Sequence, residues 1–123
     1  MEKLNFKELQ LRLISHACVQ IYGQGFSIIC DPWLVGTSFN DGWAMYPEPN
    51  LDNVDYEEIT HIWISHEHPD HLNFPSMKYL CDKIDPSEVT ILFQKTNSEK
   101  AFDSLKKMGF EKSFPVTGQT YPR

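Results

Sequence analysis

Residues 66 to 71 read His-Glu-His-Pro-Asp-His and follow directly on the short apolar run Ile62-Trp63-Ile64. Three imidazoles and a carboxylate in six residues are costly to crowd together unless something positive holds them. A bound divalent cation is the usual reason. Side chains two apart in an extended segment point the same way, so His66 and His68 can grip one ion together. Pro69 bends the backbone, so Asp70 and His71 can turn towards a second, adjacent ion. Neutral imidazole and carboxylate suit zinc, and also manganese or iron. Two such ions, about 3.5–4 Å apart, would hold a hydroxide that is nucleophilic at neutral pH and would polarise a substrate carbonyl or phosphoryl oxygen. The bland alternative is a histidine-rich turn in which Asp70 caps the following helix. Glu67 reads as a solvated or supporting residue rather than a ligand.

The elements around the motif can be read from periodicity. Leu9, Leu11 and Leu13 alternate with polar residues, the period of a half-buried strand. Ala17–Tyr22 and Phe26–Cys30 are two further strands joined by the turn Gly23-Gln24-Gly25, giving an antiparallel meander. From Asp31 to Asn53 prolines and glycines forbid long regular elements, while Trp33, Phe39, Trp43 and Tyr46 predict a packed loop, of a kind that often serves function. Beyond the motif, Pro75 sits where a helix would begin. Met77, Leu80, Cys81 and Ile84 form its amphipathic stripe. Thr90–Phe93 is another strand, Thr96 and Glu99 have capping-box spacing, and Phe102, Leu105 and Met108 form the inner face of a second helix stopped by Gly109. Phe110–Arg123 turns into a further connection or strand. Strands first, then αβ alternation, predict an α/β fold: a mixed sheet with helices on one face.

Composition narrows the function classes. With 123 residues, 41% hydrophobic and 13% aromatic, the chain reads as a single globular domain over residues 1–123. A formal net charge of −6 with no basic run argues against nucleic acid as a partner. No stretch is long enough to span a membrane, and the N-terminus lacks the apolar core of a signal peptide, so a cytoplasmic location is expected. Cys18, Cys30 and Cys81 show no CxxC spacing and read as free, buried thiols of a reducing compartment, with a thiolate metal site as the minor alternative.

Three segments resemble the metallo-β-lactamase superfamily: Ile64 to Leu72, Ser15-His16-Ala17-Cys18, and Ile28 to Leu34. The last two are similar to the branch of ascorbate-6-phosphate lactonase-like and N-acyl-phosphatidylethanolamine phospholipase D-like hydrolases. The loop with Trp43, Tyr46 and Pro47 resembles the CMP-N-acetylneuraminate hydroxylase-like branch. The resemblance implies an αββα sandwich with metals at one edge of two facing sheets. It implies that His66 and His68 bind a first ion and Asp70 and His71 a second, with Asp70 also assisting proton transfer. The family's remaining ligands lie well downstream of the motif, yet no histidine follows His71, and Asp82, Asp85 and Asp103 fall in or beside predicted helices. The chain therefore reads as the N-terminal half of such a sandwich, apparently truncated at the C-terminus. His68, which stands where the redox variant of the family resembles a glutamate, favours the hydrolytic type.

The same resemblance brings His16 near the metal pocket, against a satisfied core or rim histidine. It gives Asp31 a place beside a ligand imidazole, against a turn aspartate bonded to backbone N–H groups. His61 reads as structural, and Trp33, Trp43 and Tyr46 either line a small-molecule substrate pocket or pack the loop. Three readings result. The first is a metal-dependent hydrolase acting on a lactone, ester or phosphodiester. The second is a non-catalytic metal-binding domain or fragment whose uncovered sheet face calls for a second copy of itself or a complementing C-terminal half. The third, a sialic-acid hydroxylase-like protein, would require an iron–sulfur module for which this chain has no cysteine–histidine pattern.

Overall fold

The computed structural model of the chain describes residues 9–38, 41–66, 68–94 and 100–116. Six strands form one sheet in sequential order: β1 (Gln10–Ser15), β2 (Cys18–Gly23), β3 (Phe26–Cys30), β4 (His61–Ile64), β5 (Thr90–Gln94) and β6 (Lys112–Val116). The first three strands make the expected antiparallel meander, and β3 to β6 run parallel. Parallel neighbours need crossovers. Helix α1 (Phe74–Cys81) joins β4 to β5, and α2 (Lys100–Lys107) joins β5 to β6.

Strand alternation sorts the sheet into two unlike faces. Ile29, Ile62 and Ile91 stand side by side across β3, β4 and β5, and all three are fully buried. They pack in one cluster with Met77 and Leu80 of α1, Leu105 of α2 and Phe110. Burying each isoleucine contributes roughly 1.5–3 kcal/mol. The other face carries large apolar side chains that stay exposed at its edges. Leu11 and Leu13 pair with Ile21 and Val19, and each leucine is 72% exposed; Phe114 at the far edge is 62% exposed. The expected leucine strand forms, but Leu11 and Leu13 point away from the helices rather than into the core.

Local chemistry explains the helix boundaries. Asn73 accepts from the Ser76 backbone N–H at 3.0 Å, so Asn73 rather than Asp70 caps α1. Ile84 was expected to extend the stripe, but it lies past the helix end and still packs against the core. Helix α2 buries Leu105 and partly buries Phe102, with Met108 in the turn beyond; Gly109 ends that turn at φ 108°, where a side chain would be strained. The Thr96–Glu99 capping box lies outside the described residues. All three cysteines are free. Among the described residues no helix is long and apolar enough to cross a membrane.

Candidate metal centre

The site gathers where β3 and β4 end, at the carboxyl edge of the parallel part of the sheet, which is where open α/β sheets bind ligands. Asp31 follows β3 directly, and its N–H donates to the Trp63 carbonyl at 2.7 Å, carrying the ladder one step further. That step places its carboxylate beside Ser65, which donates from N to Oδ1 and from Oγ to Oδ2, both at 2.7 Å. Asp31 has φ 43° and His16 has φ 26°. Two non-glycine residues in this sparsely populated region, both at one site, mark backbone conformations that the surroundings impose.

Hydrogen bonds settle which ring nitrogens remain open. An ionised carboxylate only accepts, so the 3.0 Å contact between His71 Nδ1 and Asp31 Oδ2 has the imidazole donating. His71 Nε2 is then left as an acceptor, 3.4 Å from Asp70 Oδ2. Ser65 has given its one hydroxyl proton to Asp31, so it accepts from His66 Nδ1 at 2.9 Å, and His66 also keeps Nε2 open. Holding a histidine by one nitrogen while the other faces outward is how metal-ligating imidazoles are fixed. The rings of His66 and His71 lie 3.9 Å apart, and those of His66 and His68 lie 4.7 Å apart. Glu67 lies outside the described residues.

Asp70 is buried, and its Oδ2 accepts from His16 Nε2 at 2.9 Å across 54 residues of chain. Burial works against its charge. The hydrogen bonds from His16 and from its own backbone N–H, with the His71 and His16 rings close by, outweigh that and hold the carboxyl below its ordinary value. Its second oxygen, Oδ1, is buried with no hydrogen-bond partner among the described residues. An orphaned carboxylate oxygen in a polar cluster asks for a cation. Ligand atoms of His16, Asp70 and His71 all lie within 4.8 Å of one another. These residues fit a divalent metal.

His16 is therefore drawn into the cluster, at the tight turn between β1 and β2, and its ring meets Trp33 edge-on at 5.2 Å. His61 stands apart, bonded through Nδ1 to the Thr60 hydroxyl at 2.7 Å. No cysteine, and no residue after His71, belongs to the donor group among the described residues. Trp33 is buried, while Trp43 is 51% and Tyr46 98% exposed. Sequence reasoning did not single out Ser65 as a partner, although a serine next to a ligand histidine is a visible signal. Ser76 gave no such signal. Its buried hydroxyl accepts from Leu34 N and Val35 N, 41 or more residues away, and ties α1 to the loop after Asp31.

A sequence model of the beta-lactamase superfamily domain matches residues 10–114. The chain belongs to the metallo-β-lactamase superfamily. Within it, the chain is 36% identical over 83 residues to cytidine monophosphate-N-acetylneuraminic acid hydroxylase of Macaca mulatta, covering 67% of this chain and 14% of that protein. It is 37% identical over 81 residues to the hydroxylase of that name from Asterias rubens, covering 65% and 12%. The chain thus spans about one seventh of the curated relatives it matches. Among solved structures it is similar to CmlA, a diiron β-hydroxylase from Streptomyces venezuelae (TM-score 0.64, 23% identity, 89% of this chain and 21% of that one). It is also similar to a possible metal-dependent hydrolase from Veillonella parvula (TM-score 0.60, 18% identity, 87% and 42%). These structural likenesses show the superfamily fold.

Proposed function

We propose that this domain is the metal-gripping part of a metal-dependent hydrolase that cleaves a lactone, ester or phosphodiester. The observation that carries the reading is the buried, unpartnered Oδ1 of Asp70 amid four imidazoles. His66 and His68 would hold one ion, and Asp70 with His71 a second, zinc being favoured over manganese or iron. When bound, the ions lower the pKa of water and polarise a substrate oxygen. The chain's own residues do the positioning. Asp31 locks His71, Ser65 locks His66, and His16 holds the Asp70 carboxylate, which would also assist proton transfer. The cluster is rich in nitrogen, with Asp70 its one carboxylate not engaged by Ser65. Such a set suits zinc hydrolysis better than oxygen chemistry on iron, which draws on carboxylates.

Two other readings have support. Identity of 36% to cytidine monophosphate-N-acetylneuraminic acid hydroxylase favours a hydroxylase. The described donor group of His16, Asp70 and His71 equally suits a metal-binding domain without turnover of its own. One assay series separates the three. Lactones, carboxylic esters and phosphodiesters are offered to the zinc-loaded protein, and oxygen uptake is followed in the iron-loaded protein. Hydrolysis abolished by chelation and by His66→Ala/His68→Ala is expected. Oxygen consumption without hydrolysis would establish the hydroxylase reading, and neither activity in a metal-bearing protein the non-catalytic one.

A further inference from the structure

Beside the metal cluster lies an open cleft of about 760 Å³, within the range of small-molecule sites. Its floor is the end of β1 and the His16 turn, and its far wall is the loop from Gly42 to Asn50. Ser38 and Trp43 brace that loop by a pair of backbone hydrogen bonds, 2.9 and 3.0 Å long. Trp33, Trp43, Met45, Tyr46 and Leu13 give the lining its character. His16 belongs to both places. It lines the cleft, touches Trp33 and Trp43 edge-on at 5.2 and 6.2 Å, and bonds Asp70. A molecule seated in the cleft therefore abuts the residue that holds a ligand carboxylate.

The charge of the lining discriminates among ligands. Among the described residues no lysine or arginine lines the cleft, and Glu48 is the one carboxylate that does. Aromatic faces attract cations and repel anions, and Glu48 adds to both effects. We propose that this cleft is the substrate subsite of the metal centre and takes an apolar moiety bearing a positive charge, against anionic groups. In this respect it differs from what the matched relatives' name denotes, since a cytidine monophosphate sugar acid is anionic. The inference deepens the hydrolase reading and rests on it for the word substrate, but the cleft's preference is measurable by itself.

The test is a tryptophan-fluorescence titration of the 123-residue protein with benzyltrimethylammonium and, separately, benzylphosphonate. The ammonium should bind at least about tenfold more tightly. Trp43→Ala together with Tyr46→Ala should abolish its binding, and both side chains are exposed enough for the fold to survive, which circular dichroism checks. Glu48→Gln should shrink the preference. A phosphonate can bind a metal directly, so both titrations are repeated on His66→Ala/His68→Ala, in which the preference should persist because neither histidine lines the cleft. A wild-type protein that shows the preference but neither binds metal nor hydrolyses would count against the hydrolase and leave the cleft standing. Equal or tighter phosphonate binding in that variant, or ammonium binding indifferent to the aromatic substitutions, would overturn the proposal.

Discussion

The Asp31 carboxylate reaches across 40 residues to His71, Oδ2 standing 3.0 Å from Nδ1, while both its oxygens accept from Ser65. One side chain thus fixes the end of β4 and the tautomer of a candidate ligand together. Asparagine tolerates the positive φ of this position but cannot supply the negative charge. Asp31→Asn should therefore keep the secondary structure and lower metal affinity about 10–100-fold. Competition against a chromogenic chelator measures it, and an affinity within twofold of wild type would contradict the assignment.

Ser76 is a stability prediction. Its buried Oγ donates to Asn73 Oδ1 and accepts from two backbone N–H groups at 2.7 and 3.1 Å. Ser76→Ala orphans both donors, at a cost of about 2 kcal/mol or more in urea unfolding. Ser104 makes one solvent-facing bond to the Lys100 carbonyl, and its alanine variant should stay within about 0.5 kcal/mol of wild type.

The uncovered sheet face predicts association. Leu11, Leu13 and Phe114 lie on a face that no helix covers among the described residues. By light scattering after size exclusion, the 123-residue chain should run larger than a monomer, and Leu11→Glu with Phe114→Glu should shift it towards monomer. A wild-type monomer that unfolds cooperatively would show that the face needs no cover.

The cysteines should be inert while the fold persists. Burial raises the Cys18 thiol far above its ordinary value, with the neighbouring Cys30 and Asp31 adding to the effect. Burial, then the Asp31 charge, pushes Cys30 up to about 11. A raised pKa leaves little thiolate at pH 8, so iodoacetamide should label neither residue in the native chain and all three cysteines after denaturation. Rapid native labelling of Cys18 would contradict the packing around it.

Much of this fold was legible because it rests on local rules. The meander, the apolar β4 strand, Pro75 at the helix start and Gly109 at the turn after α2 follow from period and punctuation. The His-Glu-His-Pro-Asp-His run announced itself by the cost of crowding its ligands. What escaped is non-local. Alternation showed that Leu11 and Leu13 share a face, but which face is covered depends on where α1 and α2 dock. The His16–Asp70 contact spans 54 residues and the Ser76 bonds 41 or more, and no sequence spacing encodes either.

The central claim is that the Asp70 and His71 cluster holds a cation. Elemental analysis of protein purified without added metal and dialysed exhaustively tests it most directly. About one to two transition-metal ions per chain are predicted, with about one ion per chain lost in Asp70→Ala/His71→Ala. A folded chain that carries no metal, or a variant that keeps its full complement, would contradict the account.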